Sequence, residues 1–142
     1  MNLRFAFAVN NDKQFEKRHF GDADQYLIYE QGNGEMRFVA AEQNSFKNLD
    51  EEKEHGSKRK GRAIIEFLES KGVNVLVSMQ FGKNIKLVKQ HFIPVIIAAE
   101  TPDEVLKILN HHIRWIEDEW EHKKENHMLF IIKSGILKTA ID

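Results

Sequence analysis

Residues 72–99 read GVNVLVSMQFGKNIKLVKQHFIPVIIAA, and this stretch decides the fold. Two apolar runs, Val73 to Met79 and Val95 to Ala99, have the length and composition of buried strands. A short helix separates them; it opens at Gly82 and is ended by Pro94. Because a helix lies between the two strands, we expect them to be parallel and joined by a right-handed crossover.

The first forty residues predict an antiparallel meander. Leu3 to Val9 (LRFAFAV) alternates and then becomes fully apolar, as a buried strand does. Tyr26 to Glu30 and Glu35 to Glu42 are further strands, and the residues between them, Gln31 to Gly34, form a hairpin turn. Together with the parallel units, the meander predicts an α/β fold with a mixed five-stranded sheet and flanking helices.

Two longer helices complete the predicted core. The first begins at about Ser57 or Lys60 and ends at Ser70, where a Lys-Gly pair follows. The second begins at Pro102, after a threonine N-cap, and its apolar period continues to about Lys124.

The C-terminal part of the chain adds to this core. Met128 to Ile132 (MLFII) is another β-like run, and an apolar tail follows from Ile136 to Ile141. We therefore predict one domain over residues 1–113 and a C-terminal extension, a helix continuation and a strand, over residues 114–142. The pattern leaves open whether this last strand completes the sheet of its own chain or that of a neighbour.

Composition favours one soluble domain. The chain has 142 residues, of which 42% are apolar and 30% charged, and its net charge is −1. This balance gives no general attraction to nucleic acid or to an acidic membrane. The absence of cysteine excludes disulfides, thiolate metal ligands and a cysteine nucleophile. Without a signal-peptide pattern or an apolar run of about 20 residues, we expect a cytoplasmic protein.

Seven histidines raise the question of a metal site. Most of them lack ligand spacing, since no H-x-x-x-H pair occurs and adjacent helical residues do not face the same way. We therefore expect no self-contained zinc site from these five: His91, His111, His112, His122 and His127.

His19 and His55 differ from the others because each is followed by a glycine. His19 lies in the stretch Arg18 to Glu30 (RHFGDADQYLIYE), before a predicted strand, and His55 lies directly before the first long helix. Both loops are expected to open at the same end of the sheet, where open α/β domains place their binding sites.

Four cations lie near the predicted start of that helix: Lys58, Arg59, Lys60 and Arg62. Cations at a helix N-terminus oppose the macrodipole and cost roughly 0.3 kcal/mol each, a sign that a bound anion would reverse. The cations thus predict an anion site. The alternative is a solvated loop whose charges face water.

The sequence contains no set of residues that predicts catalysis. Asp22, Asp24 and Glu30 have no activated nucleophile beside them, and the glycine-rich loops that bind phosphates are absent. Ribonuclease H-type nucleases need carboxylates on the first strand, and Leu3 to Val9 has none. We therefore expect a protein that is not an enzyme.

The order of elements and several motifs resemble one family, the dinitrogenase iron–molybdenum cofactor biosynthesis family of NifX/NafY-type cofactor carriers. The resemblance covers residues 1–113. The matching segments are FAFAV in the first strand, HFG-x-A at His19 to Ala23, YLIYE, His55-Gly56, GVNVLVSMQFG and FIPVIIAAETPDEVLKIL.

This resemblance implies a ribonuclease H-like fold without nuclease activity. It also implies a protein that carries an anionic metal–sulfur cluster, such as the iron–molybdenum cofactor or its precursor, and exchanges it with a donor or acceptor protein. By the same resemblance the cluster is held at His19, Phe20 and Gly21, with His19 as the metal ligand and Gly21 allowing close approach of the backbone. His55 and Gly56 line the opposite wall, with His55 as a second ligand.

A second class of function stays open. The glycine-rich run that often precedes the second histidine of the family is replaced here by Glu51-Glu52-Lys53-Glu54, and the C-terminal extension is not part of the usual domain. In this alternative the pocket is vestigial, and the chain is an interaction or regulatory module that forms a homo-oligomer through its extension.

Overall fold

A seven-stranded mixed sheet runs through the centre of the structure. The computed structural model describes residues 2–49 and 54–140. In chain order the strands are β1 (Arg4–Val9), β2 (Gln25–Gly32), β3 (Glu35–Gln43), β4 (Val75–Ser78), β5 (Ile93–Ile97), β6 (Phe130–Lys133) and β7 (Ile136–Thr139). Across the sheet their order is β3-β2-β1-β4-β5-β6-β7. The pairs β1/β4, β4/β5 and β5/β6 are parallel, and the other three pairs are antiparallel.

Helices cover both faces of this sheet. Within the described residues they are α1 (Glu54–Ser70), α2 (Ile85–His91), α3 (Pro102–His111) and α4 (Ile113–His122). α1 and α2 pack on the face that carries Ala6 and Ala8 of β1, whereas α3 and α4 pack on the face that carries Phe5 and Phe7. The period of two along β1 thus divides the apolar side chains into two cores. In the part of the chain that is described, every helix is too short or too polar to cross a membrane.

The predicted meander and parallel core are confirmed. β2 and β3 are joined through Asn33 and Gly34, both at positive φ (53° and 79°), the combination that a type I′ hairpin turn requires. β4, α2 and β5 form the parallel unit predicted from residues 72–99. α3 begins with a capping box in which Glu104 N donates to Thr101 Oγ1 and Thr101 N donates to Glu104 Oε1.

The predicted number of five strands is wrong, because the C-terminal strands join the same sheet. β6 lies parallel to β5, with Phe130 beside Val95, and β7 returns antiparallel to β6. Phe130, Ile132 and Leu137 are buried in the core on the side of α3 and α4. Burial of these apolar side chains gives the C-terminal strands a reason to complete the sheet of their own chain.

Pro94 lies inside β5 and does not mark the end of α2, as the sequence suggested. Ile93 N donates to Asn74 O at 2.9 Å on the β4 side, so the nitrogen of Pro94 faces the opposite side of the strand. On that side β6 begins only opposite Val95. Because no ladder hydrogen bond is lost, the strand tolerates a residue without an N–H group.

The single long helix predicted from Pro102 onward is two helices. His112 leaves the helical conformation (φ −106°, ψ 25°), and α4 begins at the next residue. Val105 and Leu109 of α3 and Ile116 of α4 are nonetheless buried in one core. The chain changes direction at His112, and the apolar faces of α3 and α4 both pack on the sheet.

His127 is buried beside α4. Its side chain is 1% exposed, and its ring stacks on that of Trp120 with the centroids 5.0 Å apart. Neither ring nitrogen makes a hydrogen bond within the described residues, and Glu119 Oε2 lies 3.5 Å from Nδ1. Burial lowers the pKa of His127 below its ordinary value of 6.5, although the Glu119 carboxylate acts in the opposite direction.

We expect acid to destabilise the fold through His127. The unfolded chain takes up a proton near pH 6.5 and the folded chain only at lower pH, so the free energy of unfolding falls as the pH falls below that value. His127→Phe keeps a stacked ring without a titrating nitrogen. Urea unfolding at about pH 7.5 and about pH 5.5 should show a smaller loss of stability in the variant than in the wild type. Equal losses would contradict this assignment.

Candidate functional site

The candidate site is a turn at the carboxyl ends of the parallel strands β1 and β4. Residues His19 to Asp22 form this His19 turn, in which Phe20–Asp22 is one turn of 3-10 helix. An isolated parallel bridge joins His19 to Gln80, directly after β4, and Phe20 N donates to Gln80 O at 3.0 Å. His19 therefore lies at the sheet edge where open α/β domains place their binding sites.

Buried hydrogen bonds hold the backbone of the His19 turn. Tyr26 Oη donates to Phe20 O at 2.8 Å. Asn44 Nδ2, from the residue after β3, donates to Gly21 O at 3.0 Å and to Ala23 O at 2.8 Å. Burial raises the pKa of Tyr26, so its hydroxyl remains a donor across the neutral range. The turn is thus fastened to β2 and β3 as well as to β4.

Three side chains are connected over this turn. His19 Nε2 lies 3.1 Å from Asp22 Oδ2, and Lys60 Nζ of α1 donates to Asp22 Oδ1 at 2.9 Å. The exposed fractions of the side chains are 33% for His19, 18% for Asp22 and 2% for Lys60. Desolvation acts to raise the pKa of Asp22, but the hydrogen bond from Lys60 and the nearby positive charges keep it below its ordinary value. Asp22 is therefore a carboxylate at neutral pH.

Two glycines leave room for the imidazole of His19. A Cβ atom on Gly21 would lie 3.3 Å from His19 Nδ1 and Cε1, and 3.3 Å from Lys60 Cε. A Cβ atom on Gly82 would lie 3.5 Å from His19 Cβ, and Gly82 has a φ of +63°, which disfavours other residues. The absence of a side chain at Gly21 lets His19 and Lys60 approach the same turn from two sides.

The structure brings together three of the predicted site residues, His19, Gly21 and Lys60. Phe20 belongs to the same turn, but its side chain is fully buried and its ring centroid lies 5.7 Å from that of Phe81. Phe20 therefore anchors the turn in the core, whereas a residue that contacts a ligand would be expected to have an accessible side chain.

The predicted position of the cations at a helix N-terminus is wrong. α1 begins at Glu54, so Lys58 lies in its second turn and the other cations follow, beyond the first turn where the macrodipole acts. Arg59 and Arg62 are exposed, and Arg62 lines a shallow cavity beside α2. Lys60 points inward to the His19 turn. The three of these cations whose side chains are described therefore differ in direction, since Lys60 is buried and Arg59 and Arg62 are exposed.

His55 and Gly56 lie in the first turn of α1 and not in a loop before it. The helix begins earlier than predicted because the polar segment before Lys60 has no apolar period to mark a boundary. The side chains of His55 and Lys58 lie outside the described part of the structure. Their roles at the site therefore stay predictions.

Asp22 is the residue of this site that sequence reasoning missed. In the sequence it is one of several acids without a nucleophile nearby. Its distance of three residues from His19 is the signal that could have identified it, because a 3-10 turn places residues i and i+3 on the same side. Asn44 carried no such signal, since its role depends on the fold of β3.

The site can supply a bond to a metal but not a complete coordination shell. Among the side chains that the structure describes, which leave out those of residues 50–58, no three from histidine, aspartate or glutamate converge to hold a metal ion. His19 offers an imidazole whose orientation is fixed by a carboxylate. This donor set suits a preassembled metal group that arrives with most of its ligands, rather than a bare ion.

We expect the Lys60–Asp22 pair to be important for stability. Lys60→Met leaves the Asp22 carboxylate without its buried cation and should lower the free energy of unfolding by about 3 kcal/mol. The double variant Lys60→Met, Asp22→Asn should recover part of this loss, because the Asp22 charge is removed together with the ammonium group that neutralises it. Urea denaturation measures all three proteins.

The exposed ion pair between Lys71 and Glu42 provides the control for these stability measurements. Lys71 Nζ lies 3.5 Å from Glu42 Oε2, and the Lys71 side chain is 40% exposed. Lys71→Met should cost less than about 1 kcal/mol. A loss in Lys60→Met no larger than that in Lys71→Met would refute a structural role for the buried pair.

Comparison with protein-family models matched residues 1–112 to the model described as dinitrogenase iron-molybdenum cofactor. The matched range includes the His19 turn and the sheet as far as β5, and it ends at the break between α3 and α4. A search of the curated proteins gave no match. Because the matched range covers most of the 142 residues, the chain belongs to the dinitrogenase iron–molybdenum cofactor family.

Proposed function

We propose that this protein is a non-enzymatic carrier of an anionic metal–sulfur cluster, which it binds at the His19 turn. The cargo is the iron–molybdenum cofactor, its precursor or a related cluster, received from a donor protein and passed to an acceptor. Family membership supports the class of cargo, and the geometry of His19 supports the place of binding.

The observation that carries this proposal is the pairing of His19 with Asp22. Histidines that ligate metals almost always direct their second ring nitrogen to a carboxylate, a carbonyl or water, which fixes the orientation of the ring. His19 Nε2 faces Asp22 Oδ2 at 3.1 Å, and the imidazole is one-third exposed at the end of two parallel strands. The His19 imidazole is thus oriented by a carboxylate, as metal-ligating histidines usually are, and it is exposed enough for a cluster to reach it.

Basic side chains lie beside the turn, each in an ion pair. Lys60 offsets the charge of Asp22, and Arg18, which is paired with Glu16 at 3.1 Å, donates to Asp22 O at 3.4 Å. A preassembled cluster is held by few ligand atoms together with cations and backbone amides. His55 stays the second proposed ligand; it precedes Lys60 by five residues, about 7.5 Å along the axis of α1.

The topology supports a ribonuclease H-like core for this carrier. The strand order β3-β2-β1-β4-β5, with an antiparallel meander followed by parallel strands, agrees with that proposal. β1 contributes only apolar side chains to both cores after Arg4, which agrees with a fold that has no nuclease centre. We propose residues 1–113 as the carrier domain and residues 114–142 as its extension.

The test is an anaerobic titration of the full chain with an iron–molybdenum–sulfur cluster, followed by its absorbance after removal of unbound cluster. The wild type should retain the cluster, and His19→Ala should bind it more than about tenfold more weakly, because a metal ligand is lost. His91→Ala is the matched control: His91 is 35% exposed, and its Nδ1 lies 3.1 Å from Glu69 Oε2. Equal retention by both variants, or none by the wild type, would remove the proposal.

A second candidate function is an interaction module with a vestigial pocket. It is favoured by exposed apolar side chains on the C-terminal extension, where Trp115 is 50% and Ile136 62% exposed. Deletion of the extension is not a clean test, because β6 pairs with β5 and is an inner strand of the sheet. Substitutions of the exposed side chains leave the sheet intact.

The second candidate predicts an oligomer whose mass depends on these side chains. Light scattering of the wild type should then give a multiple of 16.6 kDa, and Trp115→Ala combined with Ile136→Ser should restore the mass of one chain. Arg59→Ala, at an exposed position on α1, is the control and should leave the mass unchanged. A wild type that is monomeric at all concentrations would exclude this candidate.

A further inference from the structure

We propose that the outer side of α1 and α2 is a docking surface for an acidic protein segment that carries an apolar anchor residue. This inference rests on the proposed function, because it names the chemistry of the protein that gives or takes the cluster. The basic surface is defined by four exposed cations on α1, on α2 and on the turn before α2: Arg59, Arg62, Lys83 and Lys86.

Charge is distributed unevenly between the two faces of the sheet. Residues 59–91, which include most of α1 and all of α2, contain seven lysines and arginines and two glutamates, a net charge of +5 in a chain whose total is −1. Residues 102–122, which include α3 and α4 on the other face, contain two basic and six acidic residues, a net charge of −4. An acidic partner is therefore attracted to the first face and repelled by the second.

The four cations of the basic surface are available to a partner. Two other lysines of this region, Lys60 and Lys71, are paired with Asp22 and Glu42. None of the four cations forms an ion pair with another described residue. A partner that contacts them does not have to break an existing ion pair first, so complementary charge raises the rate and the specificity of docking.

The basic surface reaches the His19 turn. Lys83 follows Gly82, where a Cβ atom would lie 3.5 Å from His19 Cβ. Asn84 comes next, and its Nδ2 would lie 2.7 Å from a Cβ atom on Gly61, so the turn before α2 is in close contact with α1. A protein that docks on these two helices thus lies next to the turn where we propose that the cluster binds.

A cavity between the two helices provides a place for an anchor residue. It has a volume of about 140 Å³ and is lined by Arg62, Ile65, Glu66, Leu87 and His91. Ile65 and Leu87 pack on the apolar core of this face. The carboxylate of Glu66 disfavours an anion inside the cavity, so an apolar side chain fits it better than an acidic one. A central apolar anchor surrounded by charged contacts is a common arrangement in protein interfaces.

A nucleic acid suits the basic surface less well than an acidic protein does. Proteins that bind single strands stack the bases on exposed aromatic side chains. Among the described residues, the large apolar side chains that are exposed lie elsewhere, at Phe38, Val39, Trp115 and Ile136. The observations therefore favour a protein partner.

The primary test is the binding of two synthetic peptides to the full chain without cargo. Both consist of aspartate and glutamate around one central residue, which is leucine in the first peptide and serine in the second. Fluorescence anisotropy gives the two Kd values, and ¹H–¹⁵N spectra map the contacts. We expect shifts on α1, α2 and the turn before α2. The serine peptide should bind about tenfold more weakly, because it leaves the cavity unfilled.

Charge reversal tests the same contact from the side of the protein. Lys83→Glu combined with Lys86→Glu should weaken binding of the leucine peptide by about tenfold or more, since two attractions become repulsions. Added salt should reduce this difference, because it screens exposed charges. The matched control is Lys107→Glu combined with Arg114→Glu, at exposed positions on α3 and α4, and it should change the Kd less than about twofold.

Four results would overturn the inference. They are no binding of the leucine peptide, equal Kd values for the two peptides, equal losses in the two double variants, and equally tight binding of a DNA duplex, which would indicate a general polyanion surface. Light scattering tests for a second copy as the occupant: a dimer that Lys83→Glu with Lys86→Glu converts to a single chain would also overturn it.

The docking surface and the carrier function fail separately. A chain that binds the leucine peptide as expected but retains no iron–molybdenum–sulfur cluster would refute the carrier function and support the surface. A chain that retains the cluster and does not bind the peptide would refute the surface alone.

Discussion

An ammonium group that is almost completely buried, Lys60 Nζ, lies 2.9 Å from the carboxylate of Asp22. A buried charge is costly unless it is paired, and the loss of either partner would remove the compensation that this contact provides. The pair therefore ties the middle of α1 to the His19 turn. Because Asp22 uses its second oxygen for His19, the same constraint that joins a helix to a turn also orients the imidazole.

The sheet provides the frame on which this contact acts. β1 and β4 are parallel neighbours, so the segments that follow them leave from the same edge, and Gln80 after β4 meets the His19 turn after β1. Tyr26 and Asn44 then fix the turn from the meander strands. A histidine held in this way would need little reorganisation to bind the proposed cluster, which would favour affinity without a full coordination shell.

Much of the fold could be predicted from local patterns. The Asn33-Gly34 turn, the capping box at Thr101 and the strands on either side of α2 each have a strong short-range signal, and all are present. The errors arose where the outcome depends on a distant neighbour. Pro94 is tolerated in β5 because of where β6 begins, and β6 joins the sheet because its apolar side chains are buried beneath α3 and α4.

The site was predictable only in part, for the same physical reason. The His-Phe-Gly motif identifies His19 and Gly21, but the role of Lys60 depends on which face of α1 meets the turn. From the sequence, Lys60 is one of four cations that predict an anion site at a helix N-terminus, whereas tertiary packing directs it inward to Asp22. Asp22 itself is recognisable as a partner of His19 only once the 3-10 turn is known.

We propose that His19, in the turn at the ends of β1 and β4, binds the metal of the cluster. It is tested most directly by an anomalous difference map, recorded at the iron edge, from crystals of the full chain loaded anaerobically with an iron–molybdenum–sulfur cluster. We predict metal peaks over the His19 turn, with one metal atom within bonding distance of the His19 imidazole. Peaks that lie elsewhere, for example in the cavity beside Trp115, would contradict the proposal.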